Sequence, residues 1–175
     1  MTESLEIHES MPGDLASIEK LYPEAFPDED LAPLVRELLQ EAPDTLSLVG
    51  IIHSSLVAHI IFTTCGIAGS SDKVALLGPL AVTAAWRRQG IGGTIVRAGL
   101  QRLENAGLTS VYVLGDPAYY GRLGFVPTDR VAPPYPLPVE WREAWQSKSL
   151  GSAEPPHQGK LSVPQPWLQP SLWGP

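Results

Sequence analysis

The 175-residue chain has one cysteine, Cys65. A lone thiol excludes an internal disulfide framework, a multi-thiolate zinc site and a CxxC redox pair, and it suits a reducing cytoplasm. Residues 1–10 hold three glutamates and lack a basic-then-apolar order, so they are not expected to be a signal peptide. Bases are scarce at the start, where Lys20 and Arg36 face twelve acids in residues 1–50; the rest of the chain carries ten bases and seven acids. The net charge of -7 is a poor match to nucleic acid. Charge of either sign vanishes over the 27 residues between Asp44 and Asp72. That length could cross a bilayer, but His53-Ser54-Ser55, His59 and Thr63-Thr64 put polar groups where a spanning helix needs hydrocarbon. Two apolar strands, Thr45–Ile52 and 56–65, joined by a tight turn fit better, and no membrane partner is expected.

What is present can fill one globular domain. Hydrophobic residues make up 43% and charged residues 18%, enough for a core without disulfides or metals. Leu5 and Ile7 predict a short first strand. A helix follows Pro12-Gly13-Asp14, with Leu15, Ile18 and Leu21-Tyr22 at helical spacing, and a second over 30–40 carries Leu31, Leu34, Val35, Leu38 and Leu39. After the hairpin come an apolar strand over 73–83, a helix over 89–105 ended by Gly107, and a strand Ser110–Leu114. From Pro127 onward the composition shifts, because eleven of the 18 prolines and four of the five tryptophans lie there. Residues 132–138 read as an extended crossover, with a polyproline ligand for a partner domain as the alternative. Trp141, Trp145, Trp167 and Trp173 carry too much apolar area for water, so 131–175 is expected to pack as an extension on a core of 1–130. Residues 140–150 read as a strand or a helix.

The chemistry concentrates in 78–94. Strand residues Leu80-Ala81-Val82 run into Arg87-Arg88-Gln89-Gly90-Ile91-Gly92-Gly93-Thr94, which opens an amphipathic helix. The first N–H groups of a helix lack internal partners, the dipole adds positive potential, and glycines let a phosphate approach the backbone. Arg87 and Arg88 add charge that hydrogen-bonds phosphate oxygens in pairs. Walker A would need a Lys before Thr94, and a Rossmann fingerprint a glycine at Ile95. Gly78-Pro79 interrupts the preceding strand, predicting a bulge or an opening of the sheet. Asp116-Pro117 has the order of an N-cap and first helical residue, opening a short helix that carries Tyr119 and Tyr120.

Arg87-x-x-Gly90-x-Gly92, preceded by Leu80-Ala81-Val82, resembles the acetyl-CoA motif of the GNAT superfamily of N-acetyltransferases. Tyr120-x-x-x-Gly124-Phe125 resembles its second signature, and 77–82 with 113–120 looks like the bacterial YhbS-like branch. The resemblance implies an α/β (α+β) fold: a central mixed, mostly antiparallel sheet splayed between the fourth and fifth strands, helices on both faces. It further implies acetyl-CoA as cosubstrate and no metal. Leu80, Ala81 and Val82 would bind pantetheine through the main chain. Arg87, Arg88, Gln89, Gly90, Ile91, Gly92, Gly93 and Thr94 would cradle the pyrophosphate, and Tyr120 would protonate the departing thiolate.

The implied function is direct acetyl transfer to a primary amine of a small molecule or peptide, in the cytoplasm, by a monomer or homodimer. The acidic first helices, which border the acceptor site in this superfamily, imply a cationic acceptor. The sequence departs from the pattern in having Ala84 after the strand, no Asn before the second signature and no acid over 73–83, where many members keep a general base. His53, His59, Asp116 and Glu24 are the substitutes considered, and Cys65 as an acyl carrier lacks an activating neighbour. The alternative function is an acyl-CoA sensor or partner-binding module with the same fold.

Overall fold

The computed structural model describes residues 4–41, 44–151 and 158–174. The parts of the expected 1–130 core and 131–175 extension at residues 1–3, 42–43, 152–157 and 175 lie outside the described residues. In chain order the elements are β1 (Glu6–Glu9), α1 (Leu15–Ala25), α2 (Ala32–Glu41), β2 (Thr45–Ile52), β3 (Ser55–Ile67), β4 (Val74–Val82), α3 (Ile91–Asn105), β5 (Ser110–Leu114), α4 (Pro117–Gly121), β6 (Val126–Pro127), β7 (Val131–Ala132), β8 (Trp145–Ser149) and β9 (Gly159–Ser162). The hydrogen-bonded strand order is β1-β2-β3-β4-β5-β8-β6, with β9 pairing β3 and β7. Along that order β4 and β5 run parallel. The sheet is mixed and mostly antiparallel.

The chain divides into two compact units, Met1–Phe62 with Gly78–Gly99, and Thr63–Leu77 with Leu100–Pro175. In the first, β1 pairs antiparallel with β2 from Glu6↔Ile51 to Glu9↔Leu48. The uncharged stretch forms a hairpin whose turn residues His53 and Ser54 take φ of 50° and 65°, the left-handed pair that a two-residue turn of matching twist requires. Helix α1 buries Ile18, Leu21, Tyr22 and Ala25, and α2 buries Leu34, Val35 and Leu38. Strand β3 turns alternate side chains to opposite faces. His59 meets Tyr22 of α1, while the Phe62 ring lies against Gly99 of α3, where a Cβ would collide with it. Helices therefore cover both faces of β3.

In the second unit, Ala75↔Val111 and Leu76↔Tyr112 set the parallel register. Strand β8 pairs antiparallel with β5 from Ser110↔Ser149 to Leu114↔Trp145. Helix α3 ends as its glycine predicts: Gly107 has φ 89°, its N–H bonds the Glu104 carbonyl, and the Leu108 N–H bonds that of Leu103. Residues 140–150 split between the two readings, a 3-10 turn Val139–Ala144 followed by β8. Trp145, Trp167 and Trp173 are buried. Their indole N–H groups donate to the Val131 carbonyl, the Thr63 hydroxyl and the Trp167 carbonyl. No helix among the described residues is long and apolar enough to cross a membrane.

Candidate functional site

The loop between β4 and α3 lies in the first unit. A 3-10 turn, Ala84–Trp86, follows Thr83, and the chain then passes through two left-handed residues, Arg88 at φ 63° and Gly90 at φ 80°. The glycine takes that conformation freely; for arginine it is strained. The Gly90 carbonyl accepts from the Thr94 N–H at 3.0 Å and from the Thr94 hydroxyl at 2.8 Å. This closes the first helical turn and leaves the N–H groups of Ile91, Gly92 and Gly93 as the free amides of a helix start. The Gly78-Pro79 peptide is cis.

The two arginines are used differently. Arg88 is exposed. Arg87 donates from Nη2 to the Ala25 carbonyl at 2.8 Å and from Nε to the Val82 carbonyl at 3.4 Å. One guanidinium thus clasps the C-terminal end of α1, where a cation opposes the helix dipole, to the end of β4. Among the described residues, two of its five N–H donors are used in this way and three remain.

Tyr120 lies in the second unit, on α4. Asp116 caps that helix, Oδ1 accepting from the Ala118 N–H at 2.9 Å. The ring lies edge-on to Phe125 with centroids 5.7 Å apart and to Tyr119 at 5.0 Å. Burial first, and the Tyr119 hydroxyl second, push its pKa above the usual phenol value. Tyr120 is a protonated donor at neutral pH.

The model of the family described as "Acetyltransferase (GNAT) family" matches residues 15–125. The chain belongs to the GNAT acetyltransferase family. An uncharacterized N-acetyltransferase of Escherichia coli, YjhQ, is 36% identical over 155 residues, 85% of each chain. Among solved structures, a GNAT N-acetyltransferase of E. coli, YhbS, in complex with CoA is 25% identical with a TM-score of 0.87, covering 97% of this chain and 94% of its own. A GNAT acetyltransferase of Brucella melitensis in complex with acetyl-CoA is 27% identical with a TM-score of 0.76, covering 95% and 99%.

Asp116 is occupied by its cap, and Glu24 Oε1 accepts from the Ala84 N–H at 3.4 Å. His59 is fully buried, which lowers its pKa to about 3. Cys65 is pushed up to about 12 by burial, partly offset by a backbone hydrogen bond, so the thiol stays protonated. The residues that sequence reading did not single out are Tyr22, Ser47 and Ser10, which hydrogen-bond with His59 in one chain. They lie up to 37 positions apart, so no local pattern brings them together.

Proposed function

We propose that this protein transfers an acetyl group from acetyl-CoA to a primary amine of a small molecule or peptide by direct attack. The observation that carries the reading is the loop from Arg87 to Thr94: left-handed Arg88 and Gly90 lead into a helix start with free amides, next to an exposed guanidinium. Leu80, Ala81 and Val82 would bind the pantetheine main chain to main chain. Arg88 and the amides of Gly90, Ile91, Gly92 and Gly93 would hold the pyrophosphate, with Thr94 closing the first helical turn behind them and Gln89 at the loop's exposed edge. Arg87 would shape the loop and add its spare N–H groups. Residues 1–130 form the catalytic core on this reading, 131–175 its extension, and a reducing cytoplasm suits the free Cys65.

The neutral amine attacks the thioester carbonyl; a C–N bond forms, the C–S bond breaks, Tyr120 protonates the thiolate, and the proton that the amine gives up to water restores the Tyr120 phenol. The CoA thiolate leaves more easily when a phenol donates to it, and burial, which holds the Tyr120 pKa above the ordinary phenol value, keeps that phenol protonated and able to donate. The acceptor is cationic on this reading. Asp28, Glu29 and Asp30, between α1 and α2, line a pocket of about 370 Å³ with Pro23 and Phe26. Opposite charge favours the ammonium form, so the acids serve binding rather than rate.

The absence of a carboxylate from β4 favours a second reading, an acyl-CoA sensor without turnover. Calorimetry with acetyl-CoA, followed by thiol release over a panel of polyamines, aminoglycosides and lysine peptides, separates the two. Binding with amine-dependent release supports the transferase, binding alone the sensor, and no binding overturns both.

A further inference from the structure

A pocket of about 460 Å³ opens within the second unit, roomier than the one of about 370 Å³ between α1 and α2. None of the residues that line it belongs to the acetyl-CoA loop or to α4. One wall is the proline-rich crossover 132–138, and Val131, Val139 and Trp145 complete the apolar lining. The crossover is anchored at both ends. Val131 and Ala132 pair with Gly159 and Lys160 of β9, the Trp145 indole N–H donates to the Val131 carbonyl at 2.8 Å, and the Trp141 N–H bonds the Pro138 carbonyl at 2.9 Å. Between these anchors Pro133, Pro134, Pro136 and Pro138 fix their own φ, so the wall is stiff before any ligand arrives and binding has little to order. With its N–H spent on Val131, Trp145 offers the pocket ring surface alone. Val139 is 73% exposed, a large apolar side chain left in water at this site.

The polar groups are few and biased in sign. Four of the seven residues 132–138 are prolines without an N–H to give. The side-chain donors in the lining are Arg142, Lys160 and the hydroxyls of Thr128 and Tyr135, and Asp129 is its one acid. Among the described residues, Arg142, Lys160 and Asp129 form no ion pair. Two free cations face one carboxylate here, in a chain whose net charge is -7. An anion that the protein as a whole repels is therefore drawn to this pocket.

We propose that the pocket binds a small carboxylate with an apolar, ring-bearing body: the ring against the prolines and Trp145, the carboxylate on Arg142 and Lys160. A guanidinium takes a carboxylate through two parallel hydrogen bonds, and flat rings pack well on aromatic and proline faces. The volume falls in the range of small-molecule sites, about 300–1,000 Å³. A bare inorganic anion would leave the apolar wall unused, and a polyamine would meet two cations. The site goes beyond acetyl transfer and needs no catalytic group.

Isothermal titration calorimetry on the full chain tests this with three probes. Phenylbutyrate has ring, arm and carboxylate; phenylbutylamine keeps the body and reverses the charge; acetate keeps the charge and drops the body. Phenylbutyrate should bind, and the other two should bind at least about tenfold more weakly. Arg142→Ala combined with Lys160→Ala should weaken phenylbutyrate about tenfold or more, Val139→Asp should weaken it as well, and Asp129→Asn should tighten it. All four side chains are exposed, so these variants should keep the native Tm. Saturating CoA should leave the phenylbutyrate affinity unchanged. No binding of phenylbutyrate, equal binding of the amine, displacement by CoA, or an affinity that none of the variants moves overturns the site.

Discussion

The ring of Tyr120 lies so close over Gly115 that a Cβ there would come within 2.5 Å of its Cε2. An aromatic ring held against Phe125 cannot yield as a flexible chain end would. Gly115→Ala should cost about 1–3 kcal/mol of stability in urea unfolding, the usual size of overpacking, and should lower kcat by moving the phenol. Tyr120→Phe keeps the ring and removes only the proton. It should lower kcat while leaving the calorimetric affinity for acetyl-CoA unchanged; an unchanged kcat removes its role.

The two arginines of the loop should separate. Arg88→Ala, with the side chain exposed, should weaken acetyl-CoA binding about tenfold, or about 1.4 kcal/mol, with little change in Tm. Arg87→Ala breaks the clasp to the Ala25 and Val82 carbonyls, so Tm and acetyl-CoA affinity should fall together. Thermal melts and titrations on both variants check this, and identical behaviour would contradict the division of labour.

Neutralising the acidic pocket, as Asp28→Asn, Glu29→Gln and Asp30→Asn combined, should raise the KM for cationic amines and leave that for acetyl-CoA alone. Steady-state kinetics at low salt gives the clearest reading, since salt screens exposed charges. An unchanged amine KM would mean the acceptor is recognised elsewhere.

Burial of His59 has a consequence for acid stability. Its folded pKa, about 3, lies below the 6.5 of an unfolded histidine, so the unfolded chain binds more protons between these values. The contribution of His59 is complete above about pH 6.5 and is lost as pH falls toward 3, with a limiting slope of about 1.4 kcal/mol per pH unit. His59→Gln should be less stable than the native chain at pH 7.5, and its stability should fall less steeply from pH 6.5 to 4.5. Urea titrations across that range measure both slopes.

Much of this fold was legible because its signals are local. The Ser110–Leu114 strand, the Gly107 cap and the Asp116 cap each rest on residues within a few positions of one another. The uncharged stretch was recognisable as a hairpin from its polar middle, although β3 runs on to Ile67 and its end pairs with β9, a strand without its own periodic signal. Residues 140–150 were ambiguous because the 3-10 turn and β8 share an aromatic-rich composition. The loop motif placed the arginines and glycines, but not the turn of Arg87 toward Ala25, which depends on where α1 ends. The buried chain from Ser10 to Tyr22 was invisible for the same reason: tertiary packing assembles it from the residue that follows β1, from α1 and from the hairpin.

The central claim is acetyl transfer to an amine, and the most direct measurement is product stoichiometry. Purified protein is incubated with acetyl-CoA and the amine panel, free thiol is titrated, and the acetylated amine is quantified by mass spectrometry. The account predicts one N-acetylated product per CoA released, with release dependent on amine and reduced in Tyr120→Phe. Acetyl-CoA binding without amine-dependent CoA release, or release without an N-acetyl product, would contradict it.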